Sequence, residues 1–121
     1  MAQIGAVFYV AWAILHVYAA YQVYKLAKRQ APSMLGGRIY QAAWNLAFFA
    51  VAVAIVAVAY NWFNSPLGFW LNLILTSVTD IGFILFIILP GYLPLWPGLL
   101  GPALWVAALL FSTLGLLAAR A

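Results

Sequence analysis

The chain of 121 residues has no cysteine and a single acidic residue, Asp80. Without cysteine there is no disulfide, no thiolate nucleophile, no cysteine-ligated zinc and no iron–sulfur cluster. Charge is almost as scarce. Only 5% of residues are charged, against about 25% in a soluble domain. So few ionic groups cannot cover a water-soluble surface of this size. One histidine, His16, and one aspartate are too few ligands for a protein metal site. A lone histidine leaves axial ligation of a haem or chlorin open, and no cofactor is assigned. There is no glycine loop for phosphate and no Gly-x-Ser-x-Gly context around Ser77.

What is present is apolar: 69% of residues are hydrophobic. A membrane-spanning helix needs about 20 mostly apolar residues, and four segments meet that need. They run from about Gln3 to Tyr24, Ile39 to Trp62, Leu67 to Leu89 and Leu99 to Ala119. Ala31-Pro32-Ser33 with Gly36-Gly37 makes the first turn, Asn64-Ser65-Pro66 the second, and Pro90-Gly91 stops the third span. The expected fold is an all-α, integral membrane four-helix bundle forming a single domain. The start of the chain lacks the basic n-region of a cleavable signal and reads as a retained first helix.

Four of the five basic residues, Lys25, Lys28, Arg29 and Arg38, fall around the first loop. The positive-inside rule then predicts a cytoplasmic first loop, with both termini on the non-cytoplasmic side of a prokaryotic cytoplasmic membrane. Arg120 lies on the other side and is outnumbered. Tyr24, Tyr40, Tyr92 and Trp96 mark one interface, and Tyr60, Trp62, Phe63, Phe69 and Trp70 the other. No stretch interleaves basic and aromatic residues as a nucleic-acid platform does. The expected partners are the bilayer, other membrane subunits or further copies of the chain.

Alanines give the helices a way to pack. Ala6, Ala13, Ala20 and Ala27 repeat at heptad spacing, and Ala43, Ala47, Ala50, Ala54 and Ala57 form a second small-residue stripe. Small residues let backbones approach closely in lipid, where apolar burial gives little driving force. The segment Pro90 to Gly98 carries no charge and three prolines. It reads as a connector in the headgroup zone, a docking surface or the rim of a cavity.

The candidate site centres on Asp80. Its carboxyl lies roughly 15 Å from either end of the third span at 1.5 Å per residue. Placing Asp at a membrane-helix centre costs about 2.5–3.5 kcal/mol on insertion scales, so the residue is expected to face inward and find a partner. Asn72, Thr76, Thr79 and Asp80 form one polar stripe on that span. His16, which shares a face with Trp12 and Tyr9, falls at a similar depth, as do Asn45 and, further along span four, Ser112 and Thr113. Arg38, Gln41 and Asn45 share a face of the second span. The expected ligand-binding set is therefore Asp80, His16, Asn45, Gln41 and Thr76, walled by Trp12 and Trp44.

Residues Arg38-Ile39-Tyr40-Gln41-Ala42-Ala43-Trp44-Asn45 resemble the Arg-Val-Tyr-x-Ala-x-x-Asn stretch of the membrane-associated proteins of eicosanoid and glutathione metabolism. Those are small four-helix membrane proteins, usually trimers, with a basic first loop inside. The resemblance covers eight residues. The family's acidic residue three positions after the Asn is Phe48 here, and its second Arg is Gln41. It carries neither a glutathione site nor membership over to this chain.

Three functional classes fit these residues. The first is a non-catalytic membrane protein, an accessory subunit or binder of a lipid-like ligand, in which Asp80→Ala loses partner or ligand while the chain still inserts. The second is an enzyme on an apolar substrate, of isomerase, cyclase or epoxide-opening type. Asp80 would then be the general acid or base and His16 its proton partner, and the pair must border a cavity. The third is a proton-coupled exporter of lipophilic cations using Asp80, which requires a dimer.

Overall fold

The computed structural model describes all 121 residues, Met1–Ala121, and every regular element is helical. Helix α1 spans Ala2–Lys28, α2 Met34–Ala59, α3 Pro66–Phe83 and α4 Leu100–Arg120. All four are long and apolar enough to cross a membrane. A 3-10 turn, Asn61–Phe63, follows α2, and a short helical turn, Leu95–Gly98, precedes α4.

The expected boundaries hold at two of the three connections and shift at the first. Helix α1 continues through Lys25 and Lys28, which place two cations at the negative end of its dipole. Helix α2 begins five residues before the expected start. The Ser33 hydroxyl caps it by accepting from the Gly36 amide at 3.1 Å. Gly36 and Gly37, expected in the turn, thus form the first turn of the helix. At the far end of α3 the backbone widens into a π turn over Ile84–Ile88, and the Leu89 amide reaches the Ile84 carbonyl at 2.9 Å. Pro90 explains the widening: it has no amide to give Phe86, and its ring crowds that carbonyl. Gly91, at φ +83°, then closes the helix. Its amide bonds the Ile88 carbonyl and that of Tyr92 the Ile87 carbonyl, each at 3.0 Å.

The helices form a four-cornered bundle. Helix α1 packs most extensively on α2 and next on α4, and α3 joins α2 and α4. The α1–α2 seam is made of the small residues. Ala6, Ala13, Ala20 and Ala27 are buried on α1, and Gly36, Ala43, Ala50 and Ala57 are buried on α2. Both series step by seven, so in an antiparallel pair joined by a short loop they meet level by level. A seven-residue repeat keeps such a seam facing its partner as the helices wind round each other. Tyr9, Trp12, Val53 and Ala108 fill the centre beside Ala13 and Ala57.

Both termini and the α2–α3 connection share one end of the bundle. There Gln3 Nε2 donates to the Trp62 carbonyl at 3.1 Å, and Asn64 Nδ2 to the Gly115 carbonyl at 2.9 Å. The basic loop and segment 90–98 lie at the other end.

Candidate functional site

Helices α1 and α3 stand on a diagonal of the bundle, where only long side chains can bridge. Trp12 and Asp80 do so. The indole Nε1 of Trp12 donates to Asp80 Oδ2 at 2.8 Å, and both residues are 0% exposed. Tryptophan suits this place because its ring fills the apolar centre while one N–H remains to meet a polar group.

His16 completes the cluster. One helical turn from Trp12, its ring stacks on the indole with centroids 3.7 Å apart. Its Nδ1 lies 2.8 Å from the Trp12 carbonyl oxygen. A carbonyl only accepts, so Nδ1 carries a hydrogen. Nε2 is thereby turned to Asp80 Oδ1 at 3.4 Å. The spacing is long for a hydrogen bond, and Oδ1 has no partner of good geometry. Gly101 closes the fourth side from α4: a Cβ there would stand 3.1 Å from His16 Cε1 and 3.7 Å from Asp80 Oδ1.

A second polar chain runs along α3 from this cluster toward the termini. Asn72, Thr76 and Asp80, spaced by four, are all fully buried. The Thr76 hydroxyl donates to the Asn72 carbonyl at 2.6 Å, and that of Thr79 to Leu75 at 2.8 Å. Asn72 Nδ2 donates to the Val53 carbonyl at 3.2 Å and to Asn61 Oδ1 at 2.8 Å. These bonds tie α3 to α2 and to the 3-10 turn, and Trp105 Nε1 ties α4 to Ser77 at 3.1 Å.

Of the expected site residues, the fold thus brings together Asp80, His16 and Trp12, with Thr76 one turn away along α3. It does not bring Gln41, Trp44 or Asn45 to them. All three are exposed: Gln41 and Trp44 line a groove at the α1–α2 surface instead, and Gln41 Oε1 accepts from Arg38 Nη1 at 2.9 Å. Helical rotation explains this. Residues two positions from Ala43 lie about 200° round the helix, so a seam through Ala43 turns Gln41 and Asn45 outward. The sequence reading also passed over Asn61, which is buried and paired with Asn72. An amide next to a turn gives no local sign that it will be buried.

A crevice and a groove border α1, and neither is lined by Asp80 or His16. At the terminal end is a shallow crevice among Ala2, Asn61, Asn64 and Ser112, with no room inside it for a water molecule. Toward the basic loop, an open groove of about 590 Å³ lies over the α1–α2 seam. Its lining runs from Val17 to Tyr24 on α1 and from Tyr40 to Ala47 on α2, with eight of nine residues hydrophobic. Ala20 and Ala43, from the buried seam, lie between Tyr21, Tyr24, Tyr40 and Trp44. Small seam residues beside large flanking aromatics leave the channel. The Tyr24 and Tyr40 rings meet at 5.5 Å at its basic end.

Comparison with family models, with characterised proteins and with solved structures finds no match. Function is therefore read from these two features.

Proposed function

We propose that this chain is a non-catalytic, polytopic membrane protein that holds a lipid-like ligand in the α1–α2 groove. The Asp80–Trp12–His16 cluster serves it as an interhelical clamp. The groove carries the reading: it is apolar, open at the helix surface and of a volume suited to part of an acyl chain. The cluster has the opposite character. Its groups are sealed and largely spent on one another, so a substrate or cation has no approach to the carboxyl. That supports a clamp over a general acid or an exporter's carboxylate. The clamp fixes α1 against α3 and α4, and with it the α1 wall of the groove. With the basic loop in the cytoplasm, the groove opens to the cytoplasmic leaflet.

The test is lipid content after purification. The wild-type chain in mild detergent should retain about one lipid per copy by mass spectrometry of extracts. Ala47→Phe, which puts a ring into the groove, should lose most of it. Retention of no lipid by the wild type, or equal retention by Ala47→Phe, would overturn the reading.

An accessory-subunit role is the second reading, favoured by the connection before α4. Tyr92 and Trp96 are 74% and 73% exposed there, with no charge beside them. A photo-crosslinker replacing Trp96 should form an adduct of one defined protein mass in native membranes. Adducts with lipid alone would leave that segment as an interfacial anchor.

A further inference from the structure

We infer that the lipid seated in the α1–α2 groove is an anionic phospholipid, with an acyl chain along Ala20, Ala43 and Ala47 and its phosphate held by Lys25, Lys28 and Arg38. The inference rests on the lipid-groove reading above and goes further by naming the headgroup charge.

Three contacts place cations against residues that line the groove. The Lys25 ammonium lies 5.3 Å from the centroid of the Tyr21 ring, and that of Lys28 lies 4.9 Å from that of Tyr24. The Arg38 guanidinium donates to Gln41 at 2.9 Å. Tyr21, Tyr24 and Gln41 all line the groove. The three cations thus flank its basic end, two from α1 and one from α2.

None of them has an acidic partner in the chain. Asp80 is the single acid, and it is buried against Trp12 and His16. Tyrosine rings and a neutral amide orient the cations and leave their charge unbalanced. A phosphate with apolar tails matches both parts: an anion for the rim, hydrocarbon for the channel. A zwitterionic lipid matches the channel alone, because its own cation offsets the phosphate. Basic residues at a membrane surface each raise affinity for anionic lipid by about fivefold.

The experiment uses the full chain in nanodiscs, where either orientation is equivalent. Trp44 lines the groove and reports its occupant. Its quenching by a brominated lipid is the difference between wild type and Trp44→Phe. Brominated phosphatidylglycerol is compared with brominated phosphatidylcholine, each diluted in the unbrominated other. The expected result is half-maximal quenching at about fivefold or more lower mole fraction for phosphatidylglycerol. Raising salt should shrink that preference. The variant K25Q/K28Q/R38Q should lose the preference and keep quenching by both lipids. Equal quenching by the two lipids in the wild type overturns the anionic assignment and leaves the groove reading standing. A preference unmoved by salt overturns it too, and needs no variant to fold. Failure of the groove reading itself shows elsewhere, as absence of retained lipid or as no effect of Ala47→Phe.

Discussion

Trp12 and Asp80, 68 positions apart in the chain, share a hydrogen bond of 2.8 Å across the diagonal of the bundle. The bond accounts for a carboxyl buried inside an apolar bundle, where an unpaired carboxyl is costly. It also sets a test of what the carboxyl is for. Asp80→Asn keeps an oxygen for Trp12 and offers an amide N–H to neutral His16 Nε2. Asp80→Leu strands both partners. Leaving a buried donor or acceptor unsatisfied costs about 1–3 kcal/mol. Thermal unfolding in detergent should therefore place Asp80→Asn within about 1 kcal/mol of wild type and Asp80→Leu well below it. A clamp predicts that order. If Asp80→Asn unfolds as early as Asp80→Leu, the ionisable proton matters beyond hydrogen bonding, and the clamp reading fails.

The indole can be tested from its own side. Trp12→Phe retains a ring to stack on His16 and removes the N–H. Oδ2 then loses its donor, as Oδ1 already lacks one of good geometry. Stability should fall, and the double variant Trp12→Phe/Asp80→Leu should fall by less than the sum. The coupling expected is about 1 kcal/mol, within the range of buried side-chain bonds in membrane proteins. Strict additivity in unfolding measurements would mean that the two groups do not act together.

How much of this arrangement could be read from residue order differs by feature, for physical reasons. The four helices were legible because a bilayer core demands about 20 apolar residues per span, and Pro90-Gly91 announces a stop that the chain obeys. The inward turn of Asp80 was legible from its cost in lipid. His16 was placed at its level by counting, but the hydrogen bond from the Trp12 indole was not foreseen. Depth along a helix follows from counting, but Trp12 looks like any core aromatic until a helix far along the chain is set opposite it. The outward turn of Gln41, Trp44 and Asn45 was there to be found. The glycine–alanine heptad Gly36, Ala43, Ala50, Ala57 and the polar face Arg38, Gln41, Asn45 cannot both point inward. In lipid the close-packing small residues take the interface. The groove escaped notice because it arises from paired absences of side-chain bulk on two helices.

The alanine seam makes a prediction of its own. Ala13 and Ala50 are 3% and 0% exposed, with no space for more carbon. Ala13→Leu or Ala50→Leu must push α1 and α2 apart, and overpacking of this sort costs about 1–3 kcal/mol. Ile14→Leu, one position from Ala13 but 68% exposed, should change little. Unfolding midpoints for the three variants check this directly. An Ala50→Leu protein as stable as wild type would mean that the seam is looser than its burial indicates.

Two glycines, one within the third span and one just past its end, should respond to alanine with opposite signs. Gly82 lies in the body of α3, and a Cβ there meets nothing within 4 Å. Alanine restricts the unfolded chain and favours helix, so Gly82→Ala should stabilise by about 0.5–1 kcal/mol. Gly91 also has open space around it, but its φ is +83°. An L-residue pays about 1–2 kcal/mol in left-handed backbone, and here the closure of α3 through the Gly91 and Tyr92 amides depends on that geometry. Gly91→Ala should therefore destabilise, with no steric clash to blame. Hydrogen exchange should show the loss at Leu89, Gly91 and Tyr92 first, because their amides close the widened turn. Equal and favourable effects at both glycines would argue that the helix end is held by something other than the positive φ of Gly91.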